Sequence, residues 1–251
     1  MTRLRAARAR PSGAHTAMGA AIIACFLVSG IGGASPAKPK DGLQVAPATS
    51  TLPVTAAFIG DSYSQGNGAS SESLRWTSLL SAREQWKEMN FARGGSGYIS
   101  TSGVTGCGLA YCPSYLEMVP EVIASRPDIV VVAGGQNDFD DLEMDRYAEG
   151  SRIAAVYRAL RDGLPDALIV AVGPSTPGLV AGAVVELDSE VQDAAGAVNG
   201  IHVSLSEPNA ISRASLGPDG VHVDDSGHAA IAARVAAAVE RERASMRDLG
   251  G

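Results

Sequence analysis

The feature that most constrains the fold is the apolar run from Asp128 to Ala133, which lies between Pro127 and Gly134. Its central residues are one isoleucine and three valines, and β-branched side chains favour strands. Because the run has no alternating polar face, the strand that it forms must be buried on both sides. Buried strands of this kind are typical of parallel sheets with helices packed against both faces.

Strand-like and helix-like segments alternate along the rest of the chain. Besides 128–133, short apolar or β-prone runs predict four strands, at 55–59, 86–91, 167–172 and 201–205. Apolar residues at helical spacing predict helices at 73–84, 115–125, 145–160, 179–197 and 226–246, the second with a kink or restart at Pro120. This alternation predicts an α/β domain with a parallel sheet of about five strands. Active sites in such folds form at the carboxyl ends of the strands.

Residues 1–37 have the layout of a secretory signal peptide. A segment with four arginines precedes an apolar stretch that begins at Met18, and Ala34 or Ala37 offers a cleavage site. Two alternatives remain: the apolar stretch could stay as a membrane anchor, or Cys25 could belong to a lipoprotein processing site. We therefore expect a secreted, extracellular protein, or one associated with the cell envelope if this segment is retained or lipidated.

Composition also predicts how the remaining chain is organised. Residues 38–52 are rich in Pro, Ser, Thr and Gly and predict a linker, which leaves 53–246 as the folded domain and 247–251 as a tail. The formal net charge of −7 repels phosphate backbones, and no basic stripe is present, so nucleic-acid binding is not expected. No cofactor is expected, membrane contact is expected only through the N-terminal segment, and a monomer is favoured.

Two cysteines follow the signal, Cys107 and Cys112. In an exported protein a pair this close predicts a disulfide that closes a short loop. The alternatives are two free thiols or part of a metal site. No second Cys or His pair at zinc spacing supports a metal.

Four short segments carry candidate chemistry, and three of them directly follow predicted strands. Ser62 lies where the first strand turns toward a helix, so that its hydroxyl faces the expected crevice, although Asp61 and Ser62 could instead only cap that helix. Glycines in segment 90–97 let the backbone approach a substrate, although a flexible loop has the same composition. Asn137 follows the most apolar strand and offers an amide donor, or forms a turn.

The fourth segment contains Asp219 and His222, three residues apart in a loop before the last helix. This spacing lets the carboxylate fold back onto the imidazole. The imidazole is then held in the tautomer that a general base needs.

The other histidines of the domain are expected to be structural. His202 falls in a predicted strand and His228 on the closing helix. Asp224 and Asp225 are expected to start that helix. A metal site formed by Asp224, Asp225 and His228 is an alternative, although the overall expectation is that no metal is bound.

The order of the four segments is more specific than any one of them. Together they resemble the four sequence blocks of the GDSL/SGNH hydrolase superfamily: Gly60-Asp61-Ser62, a glycine of 90–97, Gly135-x-Asn137-Asp138 and Asp219-x-x-His222. The match covers nearly all of the domain. The sequence departs from the family pattern at Tyr63 and Ser64, where Leu or Ile and Thr are frequent, and at Val223, where Pro is common. None of these departures removes a catalytic group.

The resemblance implies a flavodoxin-like three-layer α/β/α sandwich and a serine esterase that hydrolyses carboxylic esters. It implies Ser62 as nucleophile, His222 as general base and Asp219 as the residue that orients the base. It also implies an oxyanion hole formed by the backbone N–H groups of Ser62 and Gly95 and by the side chain of Asn137.

Two points of this interpretation have alternatives. Gly95 follows Asn90 by five residues, as the glycine of this block commonly does, and Gly94 and Gly97 are the other choices. Among small-molecule, carbohydrate and lipid esters, short acyl or acetyl esters are favoured, and loop 94–112 is expected to shape the pocket. The alternative function is a non-catalytic exported protein that binds carbohydrate or lipid on the same fold.

Overall fold

The computed structural model describes residues 52–140, 146–177 and 180–249. The predicted signal peptide, the role of Cys25 and nearly all of the predicted linker lie outside the described residues, and they stay predictions. Within the described parts of the chain, no helix has the length and apolar character that crossing a bilayer requires.

The described residues contain one sheet of five strands. They are β1 (Thr55–Gly60), β2 (Lys87–Asn90), β3 (Ile129–Ala133), β4 (Leu168–Val172) and β5 (Ile201–Val203). Their spatial order is β2-β1-β3-β4-β5, and every neighbouring pair is parallel. The predicted α/β class, with about five parallel strands in the flavodoxin-like order, is confirmed.

Helices connect the strands and cover the sheet. They are α1 (Ser62–Gln65), α2 (Trp76–Glu84), α3 (Val104–Cys107), α4 (Tyr115–Ser125), α5 (Arg146–Gly163), α6 (Gly182–Gly196) and α7 (Asp225–Leu249). Single 3₁₀ turns occur at Glu72–Leu74, Gln136–Asp138 and Arg213–Ser215.

Alternate strand residues supply two cores, one on each face of the sheet. Ala57 and Ile59 of β1 pack with residues of α4, α5 and α6 on one face. Ala56 and Phe58 pack with α2 and α7 on the other face, where the Phe58 and Trp76 rings meet edge to face at 5.6 Å. The two helical layers complete the α/β/α sandwich.

The chain crosses from β1 to β2 at one edge and then returns to β3 on the other side of β1. At such a switch point a crevice opens beyond the carboxyl ends of the two inner strands. Segments that follow β1 and β3 therefore face each other, and these are the segments that contain Ser62 and Asn137.

Several predicted boundaries were wrong for local reasons. The predicted helix 73–84 is divided, because Arg75 has an extended backbone (ψ 149°) and α2 begins after it. Strand β5 ends before Leu205, since the Ser204 hydroxyl accepts the N–H groups of Ser206 and Glu207 and turns the chain. Helix α4, in contrast, has the predicted bounds and continues through Pro120 without a restart.

Other elements extend beyond, or interrupt, what was predicted. Helix α7 continues to Leu249, beyond the predicted end at Met246. Helix α5 continues to Gly163, beyond Leu160. The predicted loop 94–112 contains α3 and a bridge between Ser102 and Cys112.

Candidate active site

Ser62 is the first residue of α1, a single helical turn that begins as β1 ends. The turn is capped by Asp61, whose Oδ1 accepts the N–H of Tyr63 at 2.9 Å. Gly66 ends it with φ 107°, a conformation that suits glycine. Ser62 is partly exposed, and among the described residues its N–H donates to no other group. The Ser62 N–H is therefore available to a ligand in the crevice.

Asp219 and His222 form a hydrogen-bonded pair, as their spacing predicted. The Nδ1–H of His222 donates to Asp219 Oδ2 at 2.6 Å, and Asp219 Oδ1 accepts the N–H groups of Val221 and His222. The His222 hydrogen bond, followed by the two backbone ones, lowers the pKa of Asp219 to about 2. The ionised carboxylate therefore accepts at Nδ1, and Nε2 is the ring nitrogen that Asp219 does not occupy.

Contacts of Tyr63 join this pair to the turn that contains Ser62. The Tyr63 hydroxyl donates to the carbonyl of Val221 at 2.7 Å, and its ring centroid lies 5.6 Å from that of His222. A Cβ at Gly68 would lie 3.1 Å from His222 Cβ, so the chain after α1 also packs on this loop. The Ser62 hydroxyl and His222 share no hydrogen bond among those of the described residues. Ser62 and His222 nevertheless belong to adjoining segments.

The other two predicted oxyanion-hole donors, Gly95 and Asn137, lie in the segments that follow β2 and β3. Asn137 is in the 3₁₀ turn after β3, and its Nδ2 donates one hydrogen to Ser96 O at 2.8 Å, which leaves a second N–H free. Among the described residues the Gly95 N–H has no acceptor. By contrast, Gly94 N–H donates to Gln65 Oε1 and Gly97 N–H donates to Ser100 O. Of the three candidate glycines, only Gly95 therefore offers an unused N–H.

Two buried carboxylates hold these donors in position. Asp138 accepts the N–H groups of Tyr98, Ile99 and Ser100 at 2.6, 3.2 and 2.9 Å, which fixes the loop after Gly97. Burial raises the pKa of Asp138 and, at the base of α1, raises the pKa of Asp61 to about 7.

The sequence analysis did not predict that Tyr63, Gln65 and Asp138 form hydrogen bonds that join the segments of the site. Asp138 follows Asn137 in the block Gly135-x-Asn137-Asp138, and this position next to a candidate donor could have indicated that Asp138 has a role in the site. Nothing local indicated that the hydroxyl of Tyr63 reaches Val221, 158 residues away.

The remaining histidines have structural partners. His202 Nε2 lies 2.9 Å from Asp188 Oδ1. His228 is buried, and its two nitrogens bond to the Trp76 N–H and the Asn67 carbonyl. Burial lowers the pKa of His228.

The acidic residues before α7 have partners within the chain. Asp224 Oδ1 accepts the N–H groups of Ser226 and Gly227, as expected of a residue that starts a helix. The carboxylate of Asp225 accepts the N–H and the hydroxyl of Ser70.

The two cysteines are joined by a disulfide between Cys107 and Cys112. Residues 102–106, just before this disulfide, pack on Gly94 and Gly95, because a Cβ at Gly94 would clash with Gly106 O and one at Gly95 would lie 2.5 Å from Ser102 Oγ.

The structure combines a five-stranded α/β/α sandwich with a serine after β1 and an Asp–His pair before the last helix. This arrangement is typical of α/β proteins that are hydrolases. The chain matches the GDSL-like lipase/acylhydrolase family over residues 58–230, and it belongs to that family. It is therefore a hydrolase that acts on esters, and the resemblance seen in the sequence is confirmed.

Solved structures share the fold at low sequence identity. TesA is 20% identical, with a TM-score of 0.56, over 72% of this chain and 95% of that one. A family two carbohydrate esterase from Cellvibrio japonicus is 18% identical, with a TM-score of 0.57, over 76% of this chain and 62% of that one. The psychrotrophic esterase EstA from Pseudoalteromonas sp. is 15% identical, with a TM-score of 0.56, over 74% and 97%. No curated protein matches the sequence.

Proposed function

We propose that this protein is an exported serine esterase that uses Ser62 as nucleophile, His222 as general base and Asp219 to orient the base. The observation that carries the proposal is the Asp219–His222 pair at 2.6 Å, in a loop that Tyr63 ties to the turn containing Ser62. An ionised Asp219 and a free Nε2 are the states that this role requires.

The reaction has two halves. In the first, His222 Nε2 takes the proton of the Ser62 hydroxyl while Oγ forms a bond to the ester carbonyl carbon. The tetrahedral intermediate then breaks its bond to the alcohol oxygen, and the alcohol leaves with the proton from His222. In the second half, water gives a proton to His222 and attacks the acyl-enzyme, and the acid leaves as Ser62 regains its proton.

The negative charge that develops on the carbonyl oxygen needs donors that are already in position. The N–H groups of Ser62 and Gly95 have no acceptor among the described residues, and Asn137 has a second N–H to give. Loss of one such donor typically raises the barrier by roughly 2.7–4 kcal/mol.

Short acyl or acetyl esters are the favoured substrates. Ser102 and Gly106, which lie just before the disulfide, pack closely on Gly94 and Gly95, and this supports a confined pocket next to the proposed oxyanion site. A disulfide also favours an oxidising compartment, in agreement with a secreted protein.

The test is hydrolysis of 4-nitrophenyl acetate and butyrate by the purified protein and by a Ser62→Ala variant. We expect Ser62→Ala to lower kcat at least roughly 10³-fold, because the nucleophile is lost. Ser73→Ala is the matched control, since Ser73 is exposed and its hydroxyl contacts only that of Ser71.

A fluorophosphonate probe gives a second readout, because it labels only an activated serine. We expect it to label the wild type and the Ser73→Ala variant, but not Ser62→Ala. Full activity of Ser62→Ala would reject the assignment. An unlabelled and inactive wild type would favour the non-catalytic binding protein.

A further inference from the structure

A polar cleft of about 420 Å³ lies beside α1, at the β2 edge of the sheet. Its lining residues are almost all polar or charged: Gln65, Glu72, Arg75, Glu88, Asn90, Ala92 and Arg93. None of them belongs to the proposed triad or oxyanion hole.

The cleft adjoins the turn that contains Ser62. Gln65 is three residues after Ser62 in that turn, so the two side chains lie on neighbouring sides of it. Gln65 Oε1 accepts the N–H of Gly94, next to Gly95. The Arg93 N–H donates to Gly60 O at 2.9 Å, two residues before Ser62. A substrate held at Ser62 therefore has the cleft within reach.

The two arginines of the cleft differ in their partners. The Arg75 guanidinium lies 3.0 Å from both Glu72 and Glu88, so its charge is balanced within the protein. The Arg93 guanidinium donates one hydrogen bond, to the carbonyl of Ala92, and within the described residues it has no carboxylate partner. It is also partly buried, so water and salt screen its charge less than that of a surface arginine.

The unused hydrogen-bonding capacity of the cleft consists mainly of donors. Both oxygens of Glu88 are occupied, by Arg75 and Asn90 on one side and by Ser78 on the other. The oxygen of Gln65 is occupied by Gly94, which turns its NH₂ group away from that contact. Glu72 is the one acidic group with spare oxygens, and it lies at the rim with 78% of its side chain exposed.

This inventory distinguishes between two kinds of ligand. A polyol needs both donors and acceptors from the protein, whereas a carboxylate or phosphate needs donors only. The N–H groups of Arg93 that Ala92 does not use and the NH₂ of Gln65 suit the second kind, because a guanidinium binds planar or tetrahedral oxyanions through two parallel N–H bonds.

We propose that this cleft is a subsite for an anionic group on the substrate, in which Arg93 binds a carboxylate or phosphate carried by the ester. The inference rests on the proposed function, and it adds that esters with a negative charge a short distance from the reacting carbonyl are the preferred substrates.

The experiment compares esters that differ only in one methyl group. For a charge on the acyl side, the pair is the 4-nitrophenyl monoester of glutaric acid and the same compound with its distal carboxyl methylated. For a charge on the alcohol side, the pair is 4-acetoxyphenylacetate and its methyl ester. The measured quantity is the ratio of kcat/KM for the anionic ester to kcat/KM for the methylated one.

We expect this ratio to be about tenfold or more in the wild type for at least one pair, and the responding pair identifies which half of the ester reaches the cleft. In Arg93→Gln the ratio should fall toward one, and in Arg93→Lys, which keeps the charge but loses the fork, it should be intermediate. Arg83→Gln is the control, since Arg83 is half exposed and pairs with Glu240 outside the cleft, and it should keep the wild-type ratio.

Two results would overturn the inference while the proposed function stands: a wild-type ratio near one in both pairs, or a ratio that Arg93→Gln leaves unchanged. Cleavage of neither ester of either pair by the wild type would reject the proposed function and this inference with it. Among the described residues the Arg93 side chain bonds only to the Ala92 carbonyl, so thermal unfolding should show that Arg93→Gln folds as the wild type does.

Discussion

The two sides of the candidate site are built in different ways. On the side of the proposed oxyanion hole, the N–H donors of Gly95 and Asn137 lie on loops that buried groups hold, above all Asp138, which accepts three N–H bonds. On the other side, Asp219 and His222 share one short loop, and half of the Asp219 side chain is exposed.

This difference in burial separates the groups that support the fold from those that depend on a local contact. Donors that must not move in the transition state are held by groups that also support the fold, because a site that is already oriented needs no reorganisation when charge develops. The proposed base and the residue that orients it depend on a local, half-exposed contact that contributes little to the stability of the fold. Substitutions on the two sides should therefore separate activity from stability.

The largest effect is expected from Asp219→Asn on the exposed side. The amide oxygen can still accept the backbone N–H groups, but its NH₂ cannot accept the Nδ1–H of His222, so the imidazole is left in the wrong tautomer. We expect kcat/KM for 4-nitrophenyl acetate to fall roughly 10²- to 10⁴-fold. The free energy of unfolding, measured by urea denaturation, should change only slightly, because half of the Asp219 side chain is exposed to solvent. A variant that loses stability along with activity would contradict the proposed division between the two sides.

The next largest effect is a pH dependence of the free energy of unfolding, caused by the buried carboxyl group of Asp61. Its pKa is about 7 in the folded protein against an ordinary value of 3.8, so between those values unfolding releases a proton. Rising pH therefore favours unfolding, and the contribution of Asp61 to stability falls by on the order of 4 kcal/mol from pH 4 to pH 7.

The measurement is the free energy of unfolding of wild type and Asp61→Asn across this range. The difference between the two proteins should shrink as pH rises, because the amide does not ionise. A constant difference would show that Asp61 is already ionised at pH 4. Asp219 has the opposite sign, since its low pKa favours the folded state above about pH 4 and this contribution is lost as pH falls toward 2, but solvent screening keeps it small because half of the side chain is exposed.

The smallest of the three effects is expected from Asp138→Asn, which makes the same chemical change as Asp219→Asn on the opposite side. An NH₂ group then faces at least one buried N–H donor, and the free energy of unfolding should fall by about 2 kcal/mol. Urea denaturation measures it. If Asp138→Asn were as stable as the wild type while losing activity, Asp138 would act in the reaction and not through the fold.

The sequence was sufficient to predict those parts of the structure that depend on the pattern of neighbouring residues. The valines of β3 and the runs at β1 and β4 predicted the sheet, since unbroken apolar runs have one way to be buried. The three-residue spacing of Asp219 and His222 predicted their contact, because so short a loop leaves the two side chains few arrangements.

The rest depends on contacts between residues far apart in the chain. Asp138 bonds to N–H groups 38 to 40 residues before it, and no local pattern indicates which N–H groups a buried carboxylate will accept. The isolation of Arg93 could not be seen either, because it results from Glu72 and Glu88 both bonding to Arg75. Boundaries such as the end of β5 were set by a single hydroxyl, that of Ser204.

The loop that contains Asp219 and His222 is closed on itself. Leu216 bridges Val223, and the Gly217 N–H donates to His222 O at 2.7 Å. Asp219 and His222 therefore lie in one closed loop, which holds the carboxylate against the imidazole. The Tyr63 hydroxyl, bonded to Val221, ties this loop to the turn that contains Ser62, so a residue with no proton to transfer in the proposed reaction helps to place the proposed base beside the proposed nucleophile.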